Sequence, residues 1–153
     1  MAQFFARLRK SDMEQNRNTR TGASMPAIQV AYRHSGISAV PANLSAVEIW
    51  SVARVVRRQL LADRAARKLE IEGVAERAGL FEINDVTFDV AWDLEHAVLN
   101  RAGQPVMGVT EYDKASPDCI MVSVNGPVLG GMEPLLRSTV AHELGHVVFD
   151  APG

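Results

Sequence analysis

An α+β fold is predicted by three features: apolar residues at helical spacing from Ser45 onward, a change to strict alternation at Val86, and an apolar helix near the end of the sequence. The first helix has a clear start. Ser45-Ala46-Val47-Glu48 is a capping box, in which the serine hydroxyl accepts from a backbone N–H and Glu48 reaches back, with Leu44 and Ile49 at the staple positions. Val47, Trp50, Ala53, Val56 and Leu60 then recur at helical spacing. A shorter helix is expected at 71–78, where Val74, Ala75 and Ala78 form the apolar stripe and Gly79 suits a left-handed cap.

The period then changes to two. Val86, Phe88, Val90 and Trp92 alternate with Thr87, Asp89 and Ala91, the pattern of a strand with one buried face. A turn around Gly103 leads to a second strand at 106–112, and a turn at 114–118 to a third at 119–125. Short connections favour antiparallel neighbours, so a three-stranded, mainly antiparallel sheet is expected. Pro134 fits the first turn of a final helix running to about Phe149.

Residues 1–44 read differently. They hold Arg7, Arg9, Lys10, Arg17, Arg20 and Arg33, and Pro26, Gly36 and Pro41 interrupt them. A short helix at 2–10 and a short strand at 27–32 fit the pattern. Otherwise this stretch reads as a basic, weakly structured extension beside a domain spanning 45–153. Residues 69–118 contain eleven acids against Arg77, Arg101 and Lys114. The ordinary reading of such segregation is a solvated surface; the sharper one is a nucleic-acid-binding or partner-binding region within 1–68.

Composition narrows the classes. With 153 residues and 47% hydrophobic content, the chain can build one core without cross-links. A single cysteine excludes a disulfide framework and points to a reducing cytoplasm. No apolar run approaches the length of a membrane span, so no membrane partner is expected. The net charge of −2 gives no global drive toward nucleic acid.

The chemistry lies in the last helix. Residues 138–150 read STVAHELGHVVFD, and His142-Glu143-Leu144-Gly145-His146 matches H-E-x-x-H. Residues four apart share a helical face, so both imidazoles can reach one Zn2+ ion. Glu143, one position on, can act as general base toward a water acidified by the metal. The bland alternative, a buried helix that happens to hold two histidines, would leave two imidazoles in an apolar stripe in need of polar partners.

A catalytic zinc takes three protein ligands, and the third is not evident. Asp150 follows His146 by four, but one further turn carries it about 5–6 Å along the axis, which suits an outer partner of His146 better than a ligand. Cys119 would have to cross from a strand, where a lone cysteine is more often a small core residue. Tyr112 is a candidate oxyanion stabiliser, although a strand tyrosine commonly packs.

The run RSTVAHELGHVVFD, after a strand ending Val122-Ser123-Val124-Asn125, resembles the ImmA/IrrE family of zinc peptidases, which are small zincin-like enzymes. The resemblance covers about residues 45–150. It implies a minimal metalloprotease domain acting on a protein substrate, a helix–turn–helix repressor of a stress or mobile-element regulon. It implies His142 and His146 as zinc ligands, Glu143 as base, and a third ligand from a Glu on a later helix, so that 45–153 reads as a domain truncated at its C-terminus. Two alternatives stand beside it: a zincin-like module that binds a regulator without cutting it, and a DNA-binding factor using the basic 1–68 region.

Overall fold

The computed structural model describes residues 26–34, 43–61, 70–113 and 115–151. The helix expected at 2–10, the basic residues before Pro26, Arg64, Arg67, Lys68 and Lys114 lie outside them. In chain order the elements are β1 (Ile28–Val30), α1 (Ala46–Leu60), α2 (Ile71–Arg77), β2 (Leu80–Ile83), β3 (Val86–Asp93), β4 (Gly108–Asp113), β5 (Ser116–Val124), α3 (Gly126–Leu129) and α4 (Glu133–Phe149). The fold is α+β, with four helices and one sheet among these residues.

Helix α1 begins where its sequence says it must. The Ser45 N–H donates to Glu48 Oε2 at 2.7 Å and the Glu48 N–H to Ser45 Oγ at 3.4 Å, so both halves of the capping box form. Its buried stripe is Val52, Val56 and Leu60. Val47 and Trp50 recur at the same spacing but turn away from the core and are 76% and 70% exposed.

Among the described residues the sheet has five strands in the order β1-β2-β3-β5-β4, not the three expected. The additional strands are β1, which lies within the short strand expected at 27–32 and joins this sheet, and β2, which was not expected. β2 pairs antiparallel with β3 through a two-residue turn in which Asn84 and Asp85 both have positive φ, 49° and 67°, the backbone that a tight right-twisted hairpin requires. β1 pairs parallel with β2 and places Ile28 and Val30 in the core. The sheet therefore crosses the boundary drawn at residue 45.

The expected antiparallel order also needs correction. β2/β3 and β4/β5 are antiparallel, but β3 and β5 are parallel neighbours. The chain leaves β3, passes beyond the place β5 will fill, lays β4 at the sheet edge and returns by a tight connection. A parallel pair needs such a crossover.

One sheet face carries the core. Phe81, Ile83, Phe88, Val90, Ile120, Val122 and Val124 pack there with Leu60, Val74, Leu129, Val140, Leu144, Val147 and Val148 from the helices. The alternating positions, including Glu82, Asp89, Asp93 and Glu111, point the other way, which places these four of the acids of 69–118 on the opposite face. Among the described residues no helix is long and apolar enough to cross a membrane.

Asn125 closes the sheet end next to α4. It is fully buried; its amide donates to the carbonyls of Val98 and Val106 at 3.2 and 2.9 Å, and its backbone N–H donates to Met107 O at 2.8 Å. Its side-chain oxygen caps α3 by accepting from the Val128 N–H at 3.4 Å. Gly126 is required beside it: a Cβ there would lie 2.0 Å from Leu94 O. These bonds fix the start of β4 relative to the helix that follows.

Candidate metal centre

Helix α4 is aimed by its own pattern. Thr139, Val140, Glu143, Leu144, Val147 and Val148 are buried, and His142 and His146 fall on the more open side. Edge strand β4 runs alongside. Gly108, Thr110 and Tyr112 alternate toward the core face, opposite Val124, Val122 and Ile120 of β5. Every second strand residue advances about 6.6 Å, close to the ~6 Å rise of one i,i+4 helical step. Successive β4 side chains therefore meet successive turns of α4: Gly108 abuts Thr139 and Glu143, Thr110 bonds Glu143, and Tyr112 bonds the main chain at His146.

The two histidines converge. Nε2 of His142 lies 3.1 Å from Nε2 of His146, with the rings edge-on at 87°. Two nitrogens about 2.1 Å from one zinc at the tetrahedral angle lie about 3.4 Å apart, so the pair fits two ligand positions around a single zinc. Asp150 Oδ2 lies 2.6 Å from His146 Nδ1. A carboxylate only accepts, so Nδ1 is the donor in this bond, and in the tautomer with its proton there Nε2 presents a lone pair. A carboxylate behind a ligating histidine is the usual outer partner of a metal site. Without a metal, the same arrangement admits a hydrogen bond from a protonated His142 Nε2 to that lone pair.

Glu143 is 4% exposed, and its Oε2 accepts from the Thr110 hydroxyl at 2.7 Å. Its other oxygen faces Gly108, where an added Cβ would come within 2.7 Å of it.

Tyr112 donates its hydroxyl to His146 O at 2.8 Å, and Tyr32, just beyond β1, donates to Val148 O at 2.6 Å. Burial first, and then the Asp150 charge, push the Tyr32 phenol up to about 12 and the Tyr112 phenol higher still. Both therefore stay protonated near neutral pH and tie down the last turn of α4. With its proton committed to a main-chain carbonyl, Tyr112 serves as a helix tether, and the oxyanion role expected for it gains nothing from this geometry.

Cys119 is excluded as the third ligand by the sheet. It pairs with Asp89 in β3 and alternates with Ile120 and Val122, so it faces away from α4. There it joins Asp89 and Asp118 in a group whose ligand-type atoms all lie within 4.8 Å of one another. That is the one such trio among the described residues, a spacing that metal sites share with ordinary exposed acidic groups; among the same residues no third one completes the histidine pair in this way. Asp150, bonded to Nδ1, sits behind His146 rather than beside Nε2.

Three contributors escape the sequence reading: Thr110, Gly108 and Tyr32. Alternation of Gly108, Thr110 and Tyr112 signals a shared face, but nothing local says that α4 lies on it. No family model, curated protein or solved structure matches the chain.

Proposed function

We propose that this chain is a zinc-dependent endopeptidase domain of the ImmA/IrrE type, with a zincin-like arrangement of edge strand and H-E-x-x-H helix. The supporting observation is the convergence of the His142 and His146 Nε2 atoms, one residue from a buried carboxylate held by the edge strand. His142 and His146 would hold the zinc. When bound there, zinc supplies Lewis acidity, polarising a peptide carbonyl and lowering the pKa of a water to about 7.

The chain's own groups do the rest. Asp150 keeps the proton on His146 Nδ1. Glu143 takes a proton from the attacking water and returns it to the leaving amine. Among the described residues β4 is the last strand of the sheet, so its outer edge can pair with an extended peptide and lay it along α4. The substrate of this reading is a protein, a helix–turn–helix repressor encountered in the cytoplasm.

The second reading, a module that binds such a repressor without cutting it, draws on the lack of a third ligand among the described residues. Incubation with purified helix–turn–helix repressors separates the two. The peptidase reading expects a cut repressor, protection by a zinc chelator and recovery on adding zinc. Repressor bound but intact under saturating zinc would favour the non-catalytic module.

A further inference from the structure

We infer that Thr110 is the positioning residue of the Glu143 base: its hydroxyl fixes Oε2, and the bare Cα of Gly108 leaves the slot for Oε1, so the carboxylate is held in one orientation. The catalytic half of this inference rests on the peptidase reading; the structural half rests on the contacts alone.

A carboxylate buried to 4% exposure needs hydrogen-bond donors. Among the described residues, the Thr110 hydroxyl is the side-chain donor that reaches it, at 2.7 Å from Oε2 against 3.4 Å from the Glu143 carbonyl. The shorter contact takes the proton, since 3.4 Å is long for a hydroxyl hydrogen bond. Thr110 itself is stiff, because a β-branched side chain in a strand has restricted χ1 freedom, and its backbone is pinned opposite Val122 in the β4–β5 ladder.

The other wall is as specific. A Cβ on Gly108 would stand 2.7 Å from Oε1, 3.0 Å from the Glu143 Cγ and 3.0 Å from the Thr139 methyl. The carboxylate is therefore gripped on one oxygen by a hydroxyl and accommodated on the other by an absent side chain. A base free to rotate would divide its time between productive and unproductive orientations; misplacement of a reacting group by about 1 Å can cost about 100-fold in rate.

The test compares Thr110→Val, which keeps the shape and loses the hydroxyl, with Thr110→Ser, which keeps the hydroxyl. On a quenched fluorescent peptide chosen from a random library for cleavage by the parent chain, Thr110→Val is expected to lower kcat about 10- to 100-fold with KM unchanged, and Thr110→Ser to restore it. A second readout needs no activity: urea midpoints of the metal-free protein, measured for Thr110→Val in the parent and in Glu143→Ala. Thr110→Val is expected to lower the midpoint in the parent and to have little effect once Glu143 is gone. Equal losses for Val and Ser, or additive midpoints, would overturn the inference. Coupled midpoints in a chain that cleaves no peptide would instead count against the peptidase reading and leave the contact standing.

Discussion

Glu143→Gln is expected to bind zinc as the parent does and to lose cleavage by about 10²- to 10⁴-fold, the range attributable to a positioned general base. The substitution suits the geometry. Glutamine has the shape of glutamate, its carbonyl oxygen can accept the Thr110 hydroxyl that Oε2 accepts now, and the slot beside Gly108 is unchanged. What it cannot do is take a proton near neutral pH. The comparison is between two quantities measured on one preparation, zinc content and cleavage rate of a helix–turn–helix repressor. Cleavage kept within a few-fold would remove Glu143 from the chemistry. Loss of zinc together with cleavage would mean that Glu143 supports the metal and not the proton transfer.

The second large effect concerns the fold that holds the site. Asn125→Asp is expected to cost about 2–4 kcal/mol, because two main-chain carbonyls, those of Val98 and Val106, lose a buried donor. For a chain of this size that corresponds to a fall in Tm of about 5–15 °C. Aspartate preserves the volume and the oxygen that caps α3, so packing and capping are held constant and the donor is isolated. The new carboxylate would also face carbonyl oxygens in a buried place, which adds to the loss. Thermal unfolding followed by circular dichroism reads the shift. A Tm within about 2 °C of the parent would show that the hairpin at 98–106 is anchored by something other than this side chain.

The motif helix was legible because its evidence is local. His142 and His146 share a face by helical period alone, and the N-terminal cap of α1 follows from four consecutive residues. What escaped is non-local or short. β2 has four residues, and its strongest signal, the Asn84-Asp85 turn, sits between it and a strand that reads clearly without it. β1 lies within the strand expected at 27–32, but it pairs with residues some fifty positions away, and no spacing within it announces that parallel neighbour. The β3–β5 pairing depends on the chain passing beyond β5 before β5 exists.

The same limit shaped the site. Thr110 meets Glu143 across 33 residues, so neither residue advertises the other. Cys119 was one step nearer to being read. It alternates with Ile120 and Val122, so it must lie on the face opposite to them. Turning that into an exclusion required knowing that α4 packs on the Ile120 side, which only the tertiary structure supplies.

Elemental analysis of protein purified without chelator decides directly whether the convergent imidazoles are a metal site or a hydrogen-bonded pair. The parent chain is expected to carry about one zinc per molecule, as one tetrahedral site demands, and the double variant His142→Ala with His146→Ala to carry none while remaining folded. Zinc-free parent protein that takes up no zinc on titration, or a double variant that keeps its zinc, would contradict the assignment and place any metal elsewhere, the Asp89–Asp118–Cys119 group being the first place to look.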